Sequence, residues 1–349
     1  MRYIGAKLRA RRYGAIVAAG TALCALMSLG AEPATSIAAG LPAEGTRTTI
    51  PVAYLSFAAQ NNTYDAAMLA AARSAAQAGG ATLTVFDAGN SAATQYTQLH
   101  YAITSHKYQG VVVQPVFGTT LVGLVRQAIA AHIQVADLDQ VLGPDLSTDH
   151  LQVQGLAANV VFVPTEIGQK LGALVVRACA AFNACRVGYI NDIKASALDE
   201  AIRSGFSSSA AGHSNIKIVA EGQSYFTPWN GLTAAQSMLQ SEPDLSLIVG
   251  SDQGIEGAQR AVADAGKTGK VILVGYGGSA AALAGIRSGA WYGDVAQLPA
   301  SEGRLAVEDL IKAIRTGVSS GAVDPVAQLP DGGVVTKSNV GQFLAEWPG

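Results

Sequence analysis

The sequence predicts an α/β protein with two doubly wound parallel-sheet lobes. Short apolar runs rich in β-branched residues alternate with longer Ala/Leu patterns of helical period, and this alternation is typical of right-handed βαβ units. Most of the short runs are apolar throughout, as in parallel sheets that helices cover on both faces. About ten such runs occur, more than one compact sheet of this length needs, which favours two similar lobes.

The predicted strands are rich in Val, Ile and Tyr, which fit a pleated and buried surface. In chain order they read IPVAYLSF, ATLTVFDA, GVVVQPV, IQVADLD, VVFVP, CRVGYI, IKIVAEG, LSLIVGSD, VILVGYG and YGDVAQLP. Several end in Asp, Gly or Pro, which interrupt strands and begin turns.

Helices are predicted between these strands, over segments with apolar residues at helical spacing. They cover residues 64–79, 92–107, 118–132, 164–182, 195–212, 229–241, 253–266, 278–288 and 299–317. Small, Gly-containing stops mark several of their ends, such as AGG at 78–80, AGK at 265–267 and SGA at 288–290.

Polar residues gather where the predicted strands end. The division between the lobes is expected near Val163–Pro164, and ligands in open α/β sheets bind outside the carboxyl ends of the strands. SFAAQNNTYD follows the first strand, and comparable polar stretches follow the third, fourth, eighth, ninth and tenth. If the two lobes face each other, these edges line a cleft.

Composition excludes some classes of protein. The chain has 349 residues, is 49% hydrophobic and 14% charged, and carries a net charge of −2, which describes a globular protein rather than a disordered one. Beyond the first dozen residues Lys and Arg are scattered, so no basic face indicates a nucleic-acid partner.

Residues 1–40 are predicted to be an export signal and a linker. A basic start up to Arg12 precedes an uncharged stretch from Tyr13 to Ala31, and small residues follow. A retained membrane anchor is the alternative, but the Ala, Gly and Thr content suits a span poorly. Cys24 is a candidate lipidation site, although Leu23 is larger than lipoprotein signals favour, and the export route stays open. The protein is therefore expected in the periplasm or on the extracytoplasmic face of the membrane.

Two cysteines remain beyond the predicted signal, Cys179 and Cys185, at a predicted helix end and just before a strand. In an oxidising compartment we expect a disulfide across this turn. A metal site is a weaker interpretation, because no His or further Cys lies nearby in sequence.

The sequence contains no pattern that predicts an enzyme. The five His are dispersed, and neither HExxH nor G-x-S-x-G occurs. VGYGGSAAALAG lacks the third Gly and the acidic partner of a dinucleotide loop. We expect no catalytic residues, no metal and no cofactor.

The polar strand ends instead suit a neutral polyol, whose hydroxyls pair with amides and carboxylates and whose C–H faces pack on aromatic rings. Several hydrogen bonds must act together, because each adds only about 1 kcal/mol. The candidate ligand-binding residues are Asn62, Tyr64, Gln114, Asp139, Trp229, Asp252 and Gln297.

From about residue 49 to 340 the sequence resembles type I periplasmic sugar-binding proteins, the ribose-binding-like substrate-binding components of ABC transporters. NNTY stands where that family has an Asn-Pro-aromatic turn, and GVVVQPVFGTTL and IQVADLDQ resemble its next two strand ends. YFTPWNGLTAAQSMLQSEPDLSLIVGSDQGIEGAQRAV and VILVGYGGSAAALAGIRSGAWYGDVAQLP resemble its second-lobe motifs.

The resemblance implies roles for particular residues. Asn62 and Tyr64 correspond to a first-lobe turn that hydrogen-bonds and stacks on the sugar, and Asp139 to the sugar-binding carboxylate. Trp229 corresponds to a second-lobe stacking aromatic, and Gln297 to a glutamine near a hinge crossing. Ser251 and Asp252 fall at an Asn-Asp pair of the second lobe.

The departures from the family pattern concern charged positions. Gln140 replaces a frequent Arg, Gln114 an Asn, and Gly277 a ligand-binding Asp. Glu200 falls where an Arg usually reaches the sugar. Because charge-assisted hydrogen bonds are the stronger kind, ribose is not implied over another pentose, a hexose or a cyclic polyol.

Structural interpretations compete with several of these roles. Tyr64 and Trp229 suit ordinary packing positions. Asn62 suits the cap of the helix that follows it, and Asp252 the cap of its own helix, which we favour for Asp252 over ligand binding. Asp139 has no predicted helix directly after it to cap.

The resemblance also implies how the protein works. The N-terminal lobe would comprise 41–163 and 298–323, and the C-terminal lobe 164–297 and 324–349, with hinge crossings near 163–164, 297–298 and 323–324. The lobes would close on the ligand, and an ABC permease would recognise the closed form of a monomer. A ligand-sensing accessory protein for a membrane kinase or chemoreceptor is the alternative.

Overall fold

The computed structural model describes residues 49–349; the predicted signal, with Cys24, lies outside this range. Twelve strands and nine α-helices occur within it. The strands are β1 (Ile50–Ser56), β2 (Ala81–Asp87), β3 (Gly110–Val113), β4 (Gln134–Asp139), β5 (Ala158–Val161), β6 (Cys185–Asn191), β7 (Ile216–Gln223), β8 (Leu247–Ser251), β9 (Ile272–Gly277), β10 (Gly293–Ala296), β11 (Gly321–Val323) and β12 (Val334–Thr336). The helices are α1 (Thr63–Ala78), α2 (Ala92–Thr104), α3 (Gly118–Ala130), α4 (Pro164–Ala178), α5 (Ala197–Ala210), α6 (Pro228–Ser241), α7 (Asp252–Asp264), α8 (Ala280–Ser288) and α9 (Pro299–Thr316).

The strands form two six-stranded sheets. The first has the order β11-β5-β4-β3-β1-β2 and the second β12-β10-β9-β8-β6-β7. All pairs are parallel except β10 with β12. The prediction of an α/β fold with two parallel sheets is confirmed.

Helices cover both faces of each sheet, which explains why the central strands are apolar throughout. On the first sheet α1 and α9 pack together on one face, and α2 and α3 on the other. A Cβ at Gly303 of α9 would lie 2.1 Å from the Met68 carbonyl of α1, so only glycine permits this approach. On the second sheet α4 pairs with α5, and α6 with α7.

The chain passes between the sheets three times: from β5 to α4, from β10 to α9 and from β11 to β12. Because β1, β3 and β4 of one sheet and β6, β8 and β9 of the other are parallel strands, the carboxyl ends of each set meet at one edge.

Two features at the ends of elements complete the fold. Cys179 and Cys185 form a disulfide with their Cα atoms 5.7 Å apart, joining the end of α4 to the start of β6. That helix ends at Ala178, four residues before the predicted end, because the chain turns into the disulfide loop. In residues 49–349 no helix is both long and apolar enough to cross a membrane.

Candidate functional site

A cavity lies between the carboxyl ends of the two sets of strands. It offers about 50 Å³ to the centres of water-sized molecules. Its first-sheet lining comprises Phe57, Asn62, Tyr64, Asp65, Gln114, Asp139, Gln140 and Phe162. Its second-sheet lining comprises Leu198, Ile202, Phe226, Ser251, Gln253, Tyr276 and Gly277. Gln297 and Trp347 complete it.

Asp139 is a buried carboxylate that faces this cavity. It ends β4 with a positive φ of 69° and is only 4% exposed. Its Oδ2 accepts a hydrogen bond from Gln114 Nε2 at 3.0 Å, whereas its Oδ1 has no partner in residues 49–349. Burial raises the pKa of Asp139 to about 6, and the Gln114 hydrogen bond limits the rise.

Gln114 joins Asp139 to a second carboxylate, Asp65. Its Nε2 also donates to Asp65 Oδ1 at 2.7 Å, and its Oε1 accepts from the Phe57 amide at 3.0 Å. Burial raises the pKa of Asp65 to about 7. Since these bonds use both donors of the Gln114 amide, its role is to position the two carboxylates.

Glu302 is a third buried carboxyl, which the sequence analysis missed. The Tyr64 hydroxyl lies 3.3 Å from both of its carboxylate oxygens. Burial raises the pKa of Glu302 well above its ordinary value, and the nearby charge of Asp139 raises it further. An acidic residue in the first turn of α9 is common enough for electrostatic reasons that it gave no signal in the sequence.

Asn62 both caps a helix and lines the cavity. It is the N-cap of α1, and its Oδ1 accepts from the Tyr64 amide at 2.9 Å. The capping interaction leaves the Asn62 side-chain NH₂ available, so the structural interpretation and the predicted binding role are compatible.

Aromatic rings supply the apolar surface. Phe57 and Phe226, which belong to different halves, meet edge to face with centroids 6.3 Å apart. Tyr64 and Trp347 meet in the same way at 5.3 Å. Of these four, only Tyr64 was predicted.

The structure does not bring Trp229 to this cavity. Its side chain lies in the first turn of α6 and is 73% exposed, whereas Phe226, three residues earlier, lines the cavity. Phe226 reaches it through a turn in which Tyr225 and Phe226 both have positive φ. The sequence YFTPW places aromatic residues at this turn but does not determine which of them points into the cavity.

Asp252 also lies outside the lining. Ser251 caps α7, with its Oγ accepting from the Gly254 amide, so the expectation that Asp252 caps its own helix is wrong. Its carboxylate instead accepts from the Ser279 amide, at the start of α8, at 2.7 Å. Burial raises the pKa of Asp252 to about 6. Asp252 therefore holds a neighbouring loop in place.

Behind the second-sheet lining lies a buried carboxylate, Asp192, which the sequence did not indicate. It accepts hydrogen bonds from the hydroxyls of Ser224, Ser251 and Tyr276. Burial raises its pKa to about 7. Two of these donors, Ser251 and Tyr276, line the cavity, so Asp192 fixes the orientation of their side chains.

Three departures from the family pattern are visible in the structure. Gln140 and Gly277 line the cavity, while Glu200 is exposed on α5 and does not. Among the described residues that line the cavity none is Lys, Arg or His, and three carboxyls lie in or next to it. These carboxyls can accept hydrogen bonds from a ligand.

A sequence model of the family described as "Periplasmic binding protein domain" matches residues 52–317. The chain belongs to this family. It is also similar to the D-allose-binding periplasmic protein of Escherichia coli K12, with 29% identity over 239 residues, which is 67% of this chain and 73% of that protein.

Solved structures have the same fold. An ABC transporter solute-binding protein from Mycobacterium smegmatis with bound glycerol superposes with a TM-score of 0.72 at 26% identity, covering 86% of this chain and 99% of that one. The Caulobacter myo-inositol-binding protein, bound to myo-inositol, gives 0.72 at 23% identity and covers 87% and 98%.

Proposed function

We propose that this chain is the extracytoplasmic solute-binding component of an ABC transporter, which captures a sugar or related polyol in the cavity and delivers it to a permease. The observation that carries this proposal is Asp139, a carboxylate buried in the cavity wall beside the Glu302 carboxyl, whose Oδ1 has no N–H donor among residues 49–349. A ligand hydroxyl that donates to it forms a hydrogen bond to a charged group, worth about 1.5–3 kcal/mol.

The rest of the lining supports a neutral polyol. Side-chain amides such as Gln297 and Asn62 offer both donors and acceptors to hydroxyls, and the aromatic rings suit the C–H faces of a small ring. The D-allose, glycerol and myo-inositol named for the similar proteins fit this chemistry.

We propose that the protein captures its ligand without catalysis, by closing around it. We propose that the two sheets belong to lobes comprising 41–163 plus 298–323 and 164–297 plus 324–349, which close about the three crossings. A ligand that contacts both lobes binds the closed form better and so shifts the equilibrium toward it. A permease that recognises the closed form then receives only loaded protein.

The cellular setting is part of the proposal. Family membership supports a location outside the cytoplasm, and residues 1–40 would direct export there. We propose that the protein acts as a monomer, because a single chain supplies both sides of the cavity.

The proposal is tested by isothermal titration calorimetry of the purified protein against pentoses, hexoses and cyclitols. We expect one compound to bind at micromolar concentration or tighter, and sugar acids such as glucuronate not to bind. Tight binding of acids alone, or of no compound in the panel, contradicts it. Uptake of the same compound, lost on deletion of the gene, separates delivery to a permease from sensing.

A further inference from the structure

The last described residues, 346–349, contact elements of both sheets. On the second-sheet side the carbonyls of Trp347 and Pro348 accept hydrogen bonds from the amides of Ala280 and Ala281, at 2.9 and 3.0 Å. These amides belong to the first turn of α8 and have no partner within that helix, so the segment completes its N-terminal hydrogen bonds.

On the first-sheet side the same segment meets the starts of two helices. Ser301 at the start of α9 donates to Glu346 through its amide at 2.8 Å and its hydroxyl at 2.6 Å. Thr63 at the start of α1 donates through its hydroxyl to the Gly349 carbonyl at 2.7 Å. The segment thus links the two halves beside the cavity.

Trp347 places its indole in the cavity wall. It is 4% exposed, and its Nε1 donates to the Gly277 carbonyl at 2.7 Å. Its ring packs edge to face on Tyr64 of the other half. The indole is therefore held from both sides in one orientation.

The indole occupies the space that a side chain at position 277 would need. A Cβ built at Gly277 would lie 2.8 Å from Trp347 Cζ2 and 2.9 Å from an oxygen of Asp252. Gly277 also has a φ of +144°, a conformation that L-residues with a side chain rarely adopt. Because the indole lies where a side chain at position 277 would stand, Trp347 and Gly277 form a matched pair.

We propose that Trp347 is a specificity-determining residue, which fills the space beside Gly277 and limits the cavity to a ligand of one sugar or cyclitol ring. This inference rests on the proposed function. The indole sets the size of the cavity, because it fills the wall beside Gly277 and is fixed by two contacts. It also gives the ligand an apolar surface next to Tyr64.

The test compares three variants by calorimetry: Trp347→Ala, Trp347→Phe and, as the matched control, Trp229→Ala. The probes are D-allose, L-arabinose, myo-inositol and the disaccharide cellobiose. We expect Trp347→Ala to bind the monosaccharide or cyclitol that the parent protein binds most tightly at least tenfold more weakly than the parent does. Its affinity for cellobiose should rise relative to its affinity for that compound. Trp347→Phe keeps an aromatic ring and should lose less affinity. Trp229→Ala should match the parent protein in both affinity and selectivity.

A fluorescence experiment on the same ligand supplies a second readout. In a Trp229→Phe background the remaining described indoles are Trp347 and the buried Trp291, so a ligand-dependent change in emission should disappear with Trp347→Phe. Because this comparison uses Trp347→Phe, it tests the contact between Trp347 and the ligand even if Trp347→Ala does not fold.

The outcomes separate the two proposals. If the parent protein binds a monosaccharide and the Trp347 variants keep both its affinity and its selectivity, the role of Trp347 is overturned while the proposed function stands. If the parent protein binds no sugar or cyclitol, the proposed function fails and this inference fails with it. A uniform loss of affinity without a change in selectivity also contradicts a role in specificity.

Discussion

The carboxylate of Asp139 connects the buried acidic cluster to the cavity, and its substitution separates binding from folding. Asp139→Asn keeps the shape of the side chain but removes the charged acceptor, so ligand affinity should fall by about ten- to a hundredfold, as for loss of a hydrogen bond to a charged group. Calorimetry against the ligand of the parent protein measures this.

The control for the Asp139→Asn experiment is the stability of the variant protein. Because burial disfavours the ionised carboxylate, Asp139→Asn should be at least as stable as the parent protein at pH 8 in urea denaturation. Weaker binding together with a large loss of stability would show that Asp139 matters for folding rather than for the ligand.

Gly277 gives the second prediction for a single residue. Gly277→Ala places a methyl group against the Trp347 ring and Asp252 at a φ that alanine avoids, so the free energy of unfolding should fall by about 1–3 kcal/mol. Urea denaturation measures this change. Gly266→Ala is the control for alanine at a positive φ without crowding, since no atom lies within 4 Å of a Cβ there, although its φ of +64° is less costly for alanine than +144°. Equal losses in the two variants would mean that backbone strain alone, without the indole, accounts for the effect.

At the scale of elements, the disulfide closes a short loop between α4 and β6. Its six-residue separation predicts a loop-closure contribution of about 2 kcal/mol in the chain-entropy model. The double variant Cys179→Ala/Cys185→Ala should therefore lose about that much stability under oxidising conditions, as measured by urea denaturation. The parent protein treated with reductant should approach the double variant, and no difference between oxidised parent and variant would contradict the prediction.

The elements also show what periodicity predicts well. All ten predicted strands and nine predicted helices are present among residues 49–349, because fully apolar runs and helical spacing both reflect burial. The strands β11 and β12 were missed. Each is three residues long, which is too short for a periodic pattern. Each forms by pairing with a strand that lies elsewhere in the sequence.

At the scale of the whole molecule, the sequence indicated the site only in part. Asn62, Tyr64, Gln114, Asp139 and Gln297 line one cavity, and each follows a strand or stands at a crossing, where topology fixes position. Glu302 and Trp347 both lie far along the chain from Tyr64, and only folding brings their side chains to it. Trp229 was expected at the cavity but lies outside it for another reason. A turn with positive φ decides which aromatic side chain of YFTPW points into the cavity.

The acidic clusters of the two halves predict how stability depends on pH. Burial raises the pKa of Asp65 and Asp192 to about 7 and of Asp139 and Asp252 to about 6, whereas in the unfolded chain Asp titrates near ~3.9. Between these values the folded protein binds more protons than the unfolded chain, so its stability must fall as pH rises.

We therefore expect the free energy of unfolding to decrease as the pH rises from 5 to 7 and to level off toward pH 8. The lowered pKa values of Asp145 and Glu221 act in the opposite direction, but only below this window. Asp139→Asn should flatten the dependence between pH 5 and 8 by about 1.4 kcal/mol, because the pKa of Asp139 lies about one unit above pH 5 and each unit corresponds to ~1.36 kcal/mol. Urea denaturation at pH 5, 6.5 and 8 measures both proteins. Stability that is constant or rises across this range would mean that burial does not raise the pKa of these carboxylates.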